Sequence, residues 1–258
     1  MLGAIAGDII GSVYEGIPIK RTDFKLLNQL CTFTDDTVLT IATADCILHQ
    51  KDFAVTYREY CKRYPNAGYG GYFIRWAFTP GAGPYNSLGN GSAMRVSPIG
   101  FAYKYLDEVL KQAKESAQVT HNHLEGIKGA QAVASAIFLA RTGKKKEEIK
   151  EFIEKKFSYN LGDRIEDIQR WYSFDPTCPG SVPQAVIAFL ESENYEDAIR
   201  KAISLGGDSD TLACMAGGIA EAYYGIVPKE IKKFVFKKLD KYMHAIINEF
   251  YEKYINVK

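Results

Sequence analysis

The strongest constraint on what this chain can fold into is a helical period in its apolar residues, repeated along nearly the whole sequence without a clear period-2 run to compete with it. Phe53, Tyr57, Tyr60, Cys61 and Tyr64 share one stripe. Ile127, Ala130, Ala134, Ile137 and Phe138 form a second, and Ile149, Phe152, Ile153 and Phe157 a third. Near the end, Ile231, Val235, Leu239, Tyr242, Ile246 and Phe250 continue the pattern. A stripe of this kind buries one side of a helix against its neighbours. Gly143 follows one stripe, and Gly225 with Pro228 another, where helices are expected to stop. The pattern predicts an all-α bundle.

Composition narrows the function classes. A chain of 258 residues is long enough to bury roughly three quarters of its unfolded surface. Its 47% apolar and 24% charged content is that of a folded globular protein. Lys and Arg number 32 against 31 Asp and Glu, so no global field attracts nucleic acid or membrane, and an anionic ligand must be held by local groups. Cys31, Cys46, Cys61, Cys178 and Cys214 make no CxxC pair, which suits a reducing compartment. The apolar N-terminus lacks a basic leader and is interrupted by Asp8, so it does not read as a signal peptide. No run approaches the ~18–20 apolar residues of a spanning helix. The expectation is a cytoplasmic monomer without membrane or sequence-specific nucleic-acid partners.

Gly3, Gly7 and Gly11 recur every fourth residue and fall on one helical face, where a neighbouring helix can approach closely. Asp8 and Glu15 lie seven residues apart on the same segment. A carboxylate near a buried face needs a cation or strong donors. Two stretches resist helix assignment: Thr79 to Pro98, with four glycines and three prolines, and Ser173 to Pro183, with three prolines. Long connections of this kind are often binding loops. Lys144-Lys145-Lys146 before Glu147-Glu148 reads as a solvated helix start.

Two acidic motifs carry the chemistry. Thr34-Asp35-Asp36-Thr37 opens one helical run and Asp208-Ser209-Asp210-Thr211 another. Helix capping explains one such side chain per helix. It does not explain two crowded acids at each start. Thr34, Asp35, Asp36, Asp208, Asp210 and Thr211 offer six hard oxygen ligands, the set that Mg²⁺, Mn²⁺ or Ca²⁺ requires, and Glu15 can supply a seventh. An EF-hand beginning at Asp208 fails, because its sixth and twelfth positions hold Ala213 and Ile219. A haloacid-dehalogenase phosphatase wants its acid pair after a buried strand, whereas Gly206-Gly207 precedes this one, and no phosphate-loop motif is present.

With these residues in view, the chain resembles the ADP-ribosylglycohydrolase family, the dinitrogenase-reductase-activating and ADP-ribosyl-acceptor hydrolases. The resemblance rests on Gly3-Ala4-Ile5-Ala6-Gly7-Asp8 with Gly11 and Glu15, on Phe33-Thr34-Asp35-Asp36-Thr37, and on Gly89-Asn90-Gly91-Ser92-Ala93-Met94-Arg95. It continues through Thr120-His121 and Gly206 to Thr211, in the family's order. It implies an all-α, compact orthogonal helical bundle, one domain over residues 1–258. It also implies two Mg²⁺ ions, for which Mn²⁺ can substitute, held by Glu15, Thr34, Asp35, Asp36, Asp208, Asp210 and Thr211. By the same resemblance Asn90, Gly91, Ser92, Ala93 and Met94 wrap the diphosphate and ribose, His121 stands beside that ribose, and Tyr85 is near the adenine. Glu15 and Asp36 are the catalytic candidates.

The implied activity is hydrolysis of the N- or O-glycosidic bond between the distal ribose of ADP-ribose and an acceptor, a modified protein side chain or a small molecule. The rivals are a non-catalytic ADP-ribose binder, a hydrolase of a metabolite such as O-acetyl-ADP-ribose, and an unrelated metal-dependent phosphohydrolase. Among the other histidines, His123 reads as a helix-start or surface residue, and His49 and His244 as structural or exposed. Arg95 is left with two readings, a phosphate partner or a partner of a metal-site carboxylate.

Overall fold

Several helices in this protein start at a short polar side chain that takes up a free N–H group. The computed structural model describes residues 1–256. In chain order the helices are α1 (Leu2–Glu15), α2 (Asp35–His49), α3 (Phe53–Arg63), α4 (Gly71–Phe78), α5 (Gly91–Met94), α6 (Ser97–Ala102), α7 (Leu106–Gln118) and α8 (Leu124–Arg141). They are followed by α9 (Lys146–Phe157), α10 (Ile165–Trp171), α11 (Cys178–Leu190), α12 (Tyr195–Ser204), α13 (Ser209–Tyr224), α14 (Lys229–Phe236) and α15 (Lys241–Tyr254). Asp52 accepts from Val55 N, Thr177 from Gly180 N and Asn194 from Asp197 N, each capping its helix. Gly225 ends α13 in the left-handed conformation, φ 72°, its N–H donating to Glu221 O. The all-α reading holds: among the described residues the extended pairing is a lone bridge, Gly89 to Thr177.

The centre is a pair of helices. Almost every residue of α13 is buried, from Ser209 to Ala222, and α1 lies along it with Leu2 to Gly11 buried. The glycine triplet explains the closeness. A Cβ at Gly3 would sit 2.4 Å from Gly217 O, one at Gly7 2.0 Å from Ala213 O, and one at Gly11 2.5 Å from the Cα of Asp210. No side chain fits at these distances, so the two backbones touch directly. Helices α8, α11 and α12 pack around this pair. At the start of α1 the Met1 ammonium donates to Glu221 at 2.5 Å, Gly3 N donates to the same oxygen at 2.7 Å, and Tyr251 donates to the other.

Three local expectations are corrected. The stripe running from Ile231 to Phe250 is interrupted: α14 stops at Phe236, and α15 restarts at Lys241 with Asp240 accepting from Met243 N at 2.9 Å. The short acid competes for the backbone and caps a new helix. The two proline-rich stretches are also less irregular than their composition suggests. Pro98 and Pro179 lie in the first turns of α6 and α11, where a missing N–H costs nothing. The solvated reading fails for Lys146, which is half-buried, donating to Ser192 O and to Tyr224 OH. No helix of the described residues is long and apolar enough to cross a membrane.

Candidate metal centre and ligand cavity

Three helix ends meet to form the site. Thr34 stands at the N-terminus of α2, its hydroxyl accepting from Asp36 N at 3.3 Å and donating to Asp8 Oδ1 at 2.7 Å. Asp8, buried in the middle of α1, also accepts from Thr34 N at 3.0 Å and Thr37 N at 2.9 Å. Those are the strong donors its position demanded, and they fasten the start of α2 against α1. Asp208 occupies the N-cap position of α13 without capping it. Its Oδ2 instead accepts from Asn90 Nδ2 at 2.7 Å. Capping therefore accounts for Thr34 and leaves Asp208 to another purpose. The turn leading to it needs Gly206 and Gly207, both left-handed at φ 70° and 87°.

The two motifs converge as their spacing suggested. Glu15, Asp208 and Asp210 each offer a carboxylate oxygen within 4.8 Å of the others. Thr211 Oγ1 donates to Asp36 Oδ1 at 3.3 Å, joining the two helix starts. Asp36 Oδ2 is buried with no hydrogen-bond partner. Asp8, Glu15, Asp35, Asp36, Asp208 and Asp210 are thus gathered at one place, and among the described residues none of them forms an ion pair with a Lys or Arg.

The consequence is a strained set of charges. Burial, then Asp210 and Asp8, pushes the Asp36 carboxyl well above the usual range. Burial, then Asp208 and Asp8, does the same to Asp210. Asp35 is pushed up to about 8 by burial and then by Asp8, and Glu15 is raised by burial and then by Asp208. Like charges held together away from water favour either protons or a multivalent cation. An oxygen-only donor set with an orphaned carboxylate oxygen fits a hard divalent ion.

A cavity of about 560 Å³ opens from this acidic end. Glu15, Thr34, Asp35, Asp36, Asp208, Asp210 and Thr211 line one side, and Asn90, Gly91, Met94 and His121 another. Its walls come from the two irregular stretches, which pair with each other: Asn90 N donates to Pro176 O at 2.8 Å and Cys178 N to Leu88 O at 2.9 Å. Ser92 and Ala93 lie fully buried behind that wall, with Ser92 donating to Gly126 O. The amides of Ala93 and Met94 are taken by Asn90 O. Of the loop's expected donors, Gly91 is left at the cavity, and Ser92, without exposed surface, does not reach it.

Aromatic rings form the rim opposite the acids. Tyr85 stacks on Tyr72, centroids 6.1 Å apart and planes at 22°, and stands 5.9 Å from the His121 ring. Tyr72 and Phe174, both exposed and both lining the cavity, were not singled out from the sequence. The mixed Gly-Tyr-Phe composition around them carries no periodic signal that would have found them. His123 caps α8 by accepting from Glu125 N, while His49 contacts Asp45, and His244 contacts Phe236 O. Arg95 borders the same cavity and pairs with no carboxylate among the described residues; its Nε and Nη1 have no hydrogen-bond partner. It is fully buried, donating to Ser116 O and Thr120 Oγ1.

An all-α scaffold with an acidic centre at the meeting of two helix starts and a cavity walled by a Gly-Asn-Gly loop is the signature of one class of hydrolase. The chain belongs to the ADP-ribosylglycohydrolase family, whose model matches residues 1–256, and it is a hydrolase of glycosyl bonds. It is similar to the ADP-ribosylhydrolase ARH3 of Homo sapiens, 28% identical with 88% of this chain and 84% of that protein aligned. It is also similar to the ADP-ribosylarginine hydrolase Tri1 of Pseudomonas putida, 26% identical over 88% of this chain and 70% of the relative. A solved structure described as an ADP-ribosylglycohydrolase-related protein complex superposes with a TM-score of 0.74 at 26% identity, covering 98% of this chain and 95% of that one.

Proposed function

We propose that the chain hydrolyses the glycosidic bond between the distal ribose of ADP-ribose and an acceptor, a modified protein side chain or a small molecule, and releases ADP-ribose. The observation that carries this reading is the convergence of Glu15, Asp208 and Asp210 at the acidic end of the cavity that Asn90, Gly91 and His121 also line. Glu15, Thr34, Asp35, Asp36, Asp208, Asp210 and Thr211 would hold two Mg²⁺ ions, or Mn²⁺ in their place. Bound there, the metal supplies Lewis acidity for ribose hydroxyls and lowers the pKa of a water.

The chain's own groups then divide the remaining tasks. The Gly91 amide and the His121 ring bind the diphosphate and ribose, with Met94 on the same wall; Ser92 and Ala93, buried behind that wall, keep the loop rigid. Asn90 couples that loop to Asp208, so ligand and acidic centre share one frame. The crowded carboxylates stabilise the positive charge that builds on the sugar ring as its bond to the acceptor lengthens. Glu15, on the exposed end of α1, is placed to steer water or the leaving group, and Asp36 Oδ2, free of other partners, to accept a proton.

The test is a panel of defined ADP-ribosylated arginine, serine, nucleic-acid and small-molecule substrates, with and without Mg²⁺, read by product analysis. Free ADP-ribose appearing only with metal supports the proposal. Product formation undiminished in excess chelator removes the metal from it; AMP or phosphate as product replaces it with a phosphohydrolase; binding without product replaces it with a binder.

A further inference from the structure

Arg95 is the largest fully buried side chain among the described residues, at the back of the cavity wall, and the proposed hydrolysis assigns it no task. Its guanidinium lies over the Tyr57 ring, 4.4 Å from the centroid, and Nη2 donates to Ser116 O at 2.8 Å and to Thr120 Oγ1 at 2.9 Å. A guanidinium can only donate, so the Thr120 hydroxyl is the acceptor in the second bond. That hydroxyl lies 2.7 Å from His121 Nδ1. Thr120 is completely buried. Its own hydrogen is therefore available for Nδ1, and an Nδ1 that accepts leaves the proton of a neutral imidazole on Nε2.

The other edge of the ring faces the ligand wall. A Cβ added to Gly91 would lie 3.2 Å from Nε2 and one added to Gly89 3.5 Å. His121 lines the cavity. No hydrogen bond joins Nε2 to another group among the described residues. We infer that Arg95 and Thr120 are positioning residues that fix the tautomer of His121, so that Nε2 presents a hydrogen rather than a lone pair and this edge of the cavity recognises an oxygen acceptor. Burial, then the nearby Arg95 charge, holds the His121 pKa well below its ordinary value, which keeps the ring neutral. The donor is thereby present at neutral pH without placing a second cation beside Arg95.

The identity of the oxygen rests on the proposed ADP-ribose reading; the tautomer does not. The deciding experiment is nitrogen NMR of imidazole-labelled full-length protein, with the His121 signals assigned among the four histidines by their loss in His121→Gln. The expected result is a protonated Nε2 and a bare Nδ1, a mixture of tautomers in Thr120→Val, and recovery in Thr120→Ser. Tyr85→Phe removes the hydroxyl of the ring that stands 5.9 Å from the His121 ring and is expected to leave the tautomer in place. ADP-ribose affinity should fall about ten-fold in Thr120→Val and return in Thr120→Ser, the scale of one oriented hydrogen bond. If ADP binding falls equally, the acceptor is a diphosphate oxygen; if only ADP-ribose binding falls, it is a hydroxyl of the distal ribose. A protonated Nδ1 in the parent protein, or an unaltered tautomer in Thr120→Val, overturns the inference. ADP-ribose that fails to bind the parent protein defeats the proposed function, while the nitrogen spectrum still decides the relay.

Discussion

Buried acids occur in two kinds of place in this protein. Asp45 and Glu221 are as hidden as the acids of the cavity, yet each is surrounded by donors. Asp45 meets His49 Nδ1 at 2.7 Å, Lys51 Nζ at 2.9 Å and Tyr60 OH at 3.0 Å. Glu221 takes the Met1 ammonium, the Gly3 amide and the Tyr251 hydroxyl. Asp36 and Asp210 face mainly other acids. A carboxylate out of water is tolerable when its partners are supplied by the fold, and then it is structural. One that the fold leaves among like charges is waiting for a partner from outside. Exposure alone does not separate the two; the company each acid keeps does.

Substitutions can break or sharpen that contrast. Asp208→Ala should lower turnover of an ADP-ribosylated substrate by about a thousand-fold, beyond the roughly 10–100-fold lost when only an outer partner of a metal site is removed. Helical circular dichroism should be unchanged; retained turnover would place Asp208 with the structural acids. Glu221→Ala, on the paired side, should destabilise the fold by about 3 kcal/mol, because it leaves the Met1 amine, the Gly3 amide and the Tyr251 hydroxyl without their acceptor. Urea unfolding measures that loss, and turnover per folded molecule should hold. Asp45→Asn should cost about 2 kcal/mol in the same measurement, since the amide keeps one acceptor oxygen, without its charge, and turns the other into a donor. Asp36→Asn should act with the opposite sign: it removes one of the mutually repelling acids, raising stability in chelator by about 1 kcal/mol, while turnover measured with Mg²⁺ collapses. A loss of stability there would mean that the acidic centre is internally balanced, and the contrast would fail.

Much of this was legible in the residues because the signals are local. Helical periodicity, the Gly3-Gly7-Gly11 face and two clusters of acids and hydroxyls at helix starts each depend on neighbours within a turn or two. What escaped depends on distant partners. Nothing near Gly89 announces that it will bridge to Thr177, and nothing near Arg95 announces Thr120. The stripe through Leu239 and Tyr242 is helical in period although Asp240 divides it, because apolar spacing records which residues are buried and not whether the backbone between them is continuous. Pro179 misled for a related reason: composition registers a helix breaker, while its effect depends on whether it stands in the first turn.

The seam between α1 and α13 has a consequence for how the acidic centre keeps its dimensions. Asp8 and Glu15 belong to one helix, Asp208 and Asp210 to the start of the other, and the two meet peptide against peptide at three glycines. Most helix pairs are separated by a cushion of side chains whose rotamers can be exchanged or compressed. Here the spacer is the thickness of the backbone itself. Drift in the surrounding core can change volumes on either side without altering the gap between the acids, much as a gauge block holds a clearance whatever surrounds it. The tolerance of the centre is set by atoms that no substitution can replace.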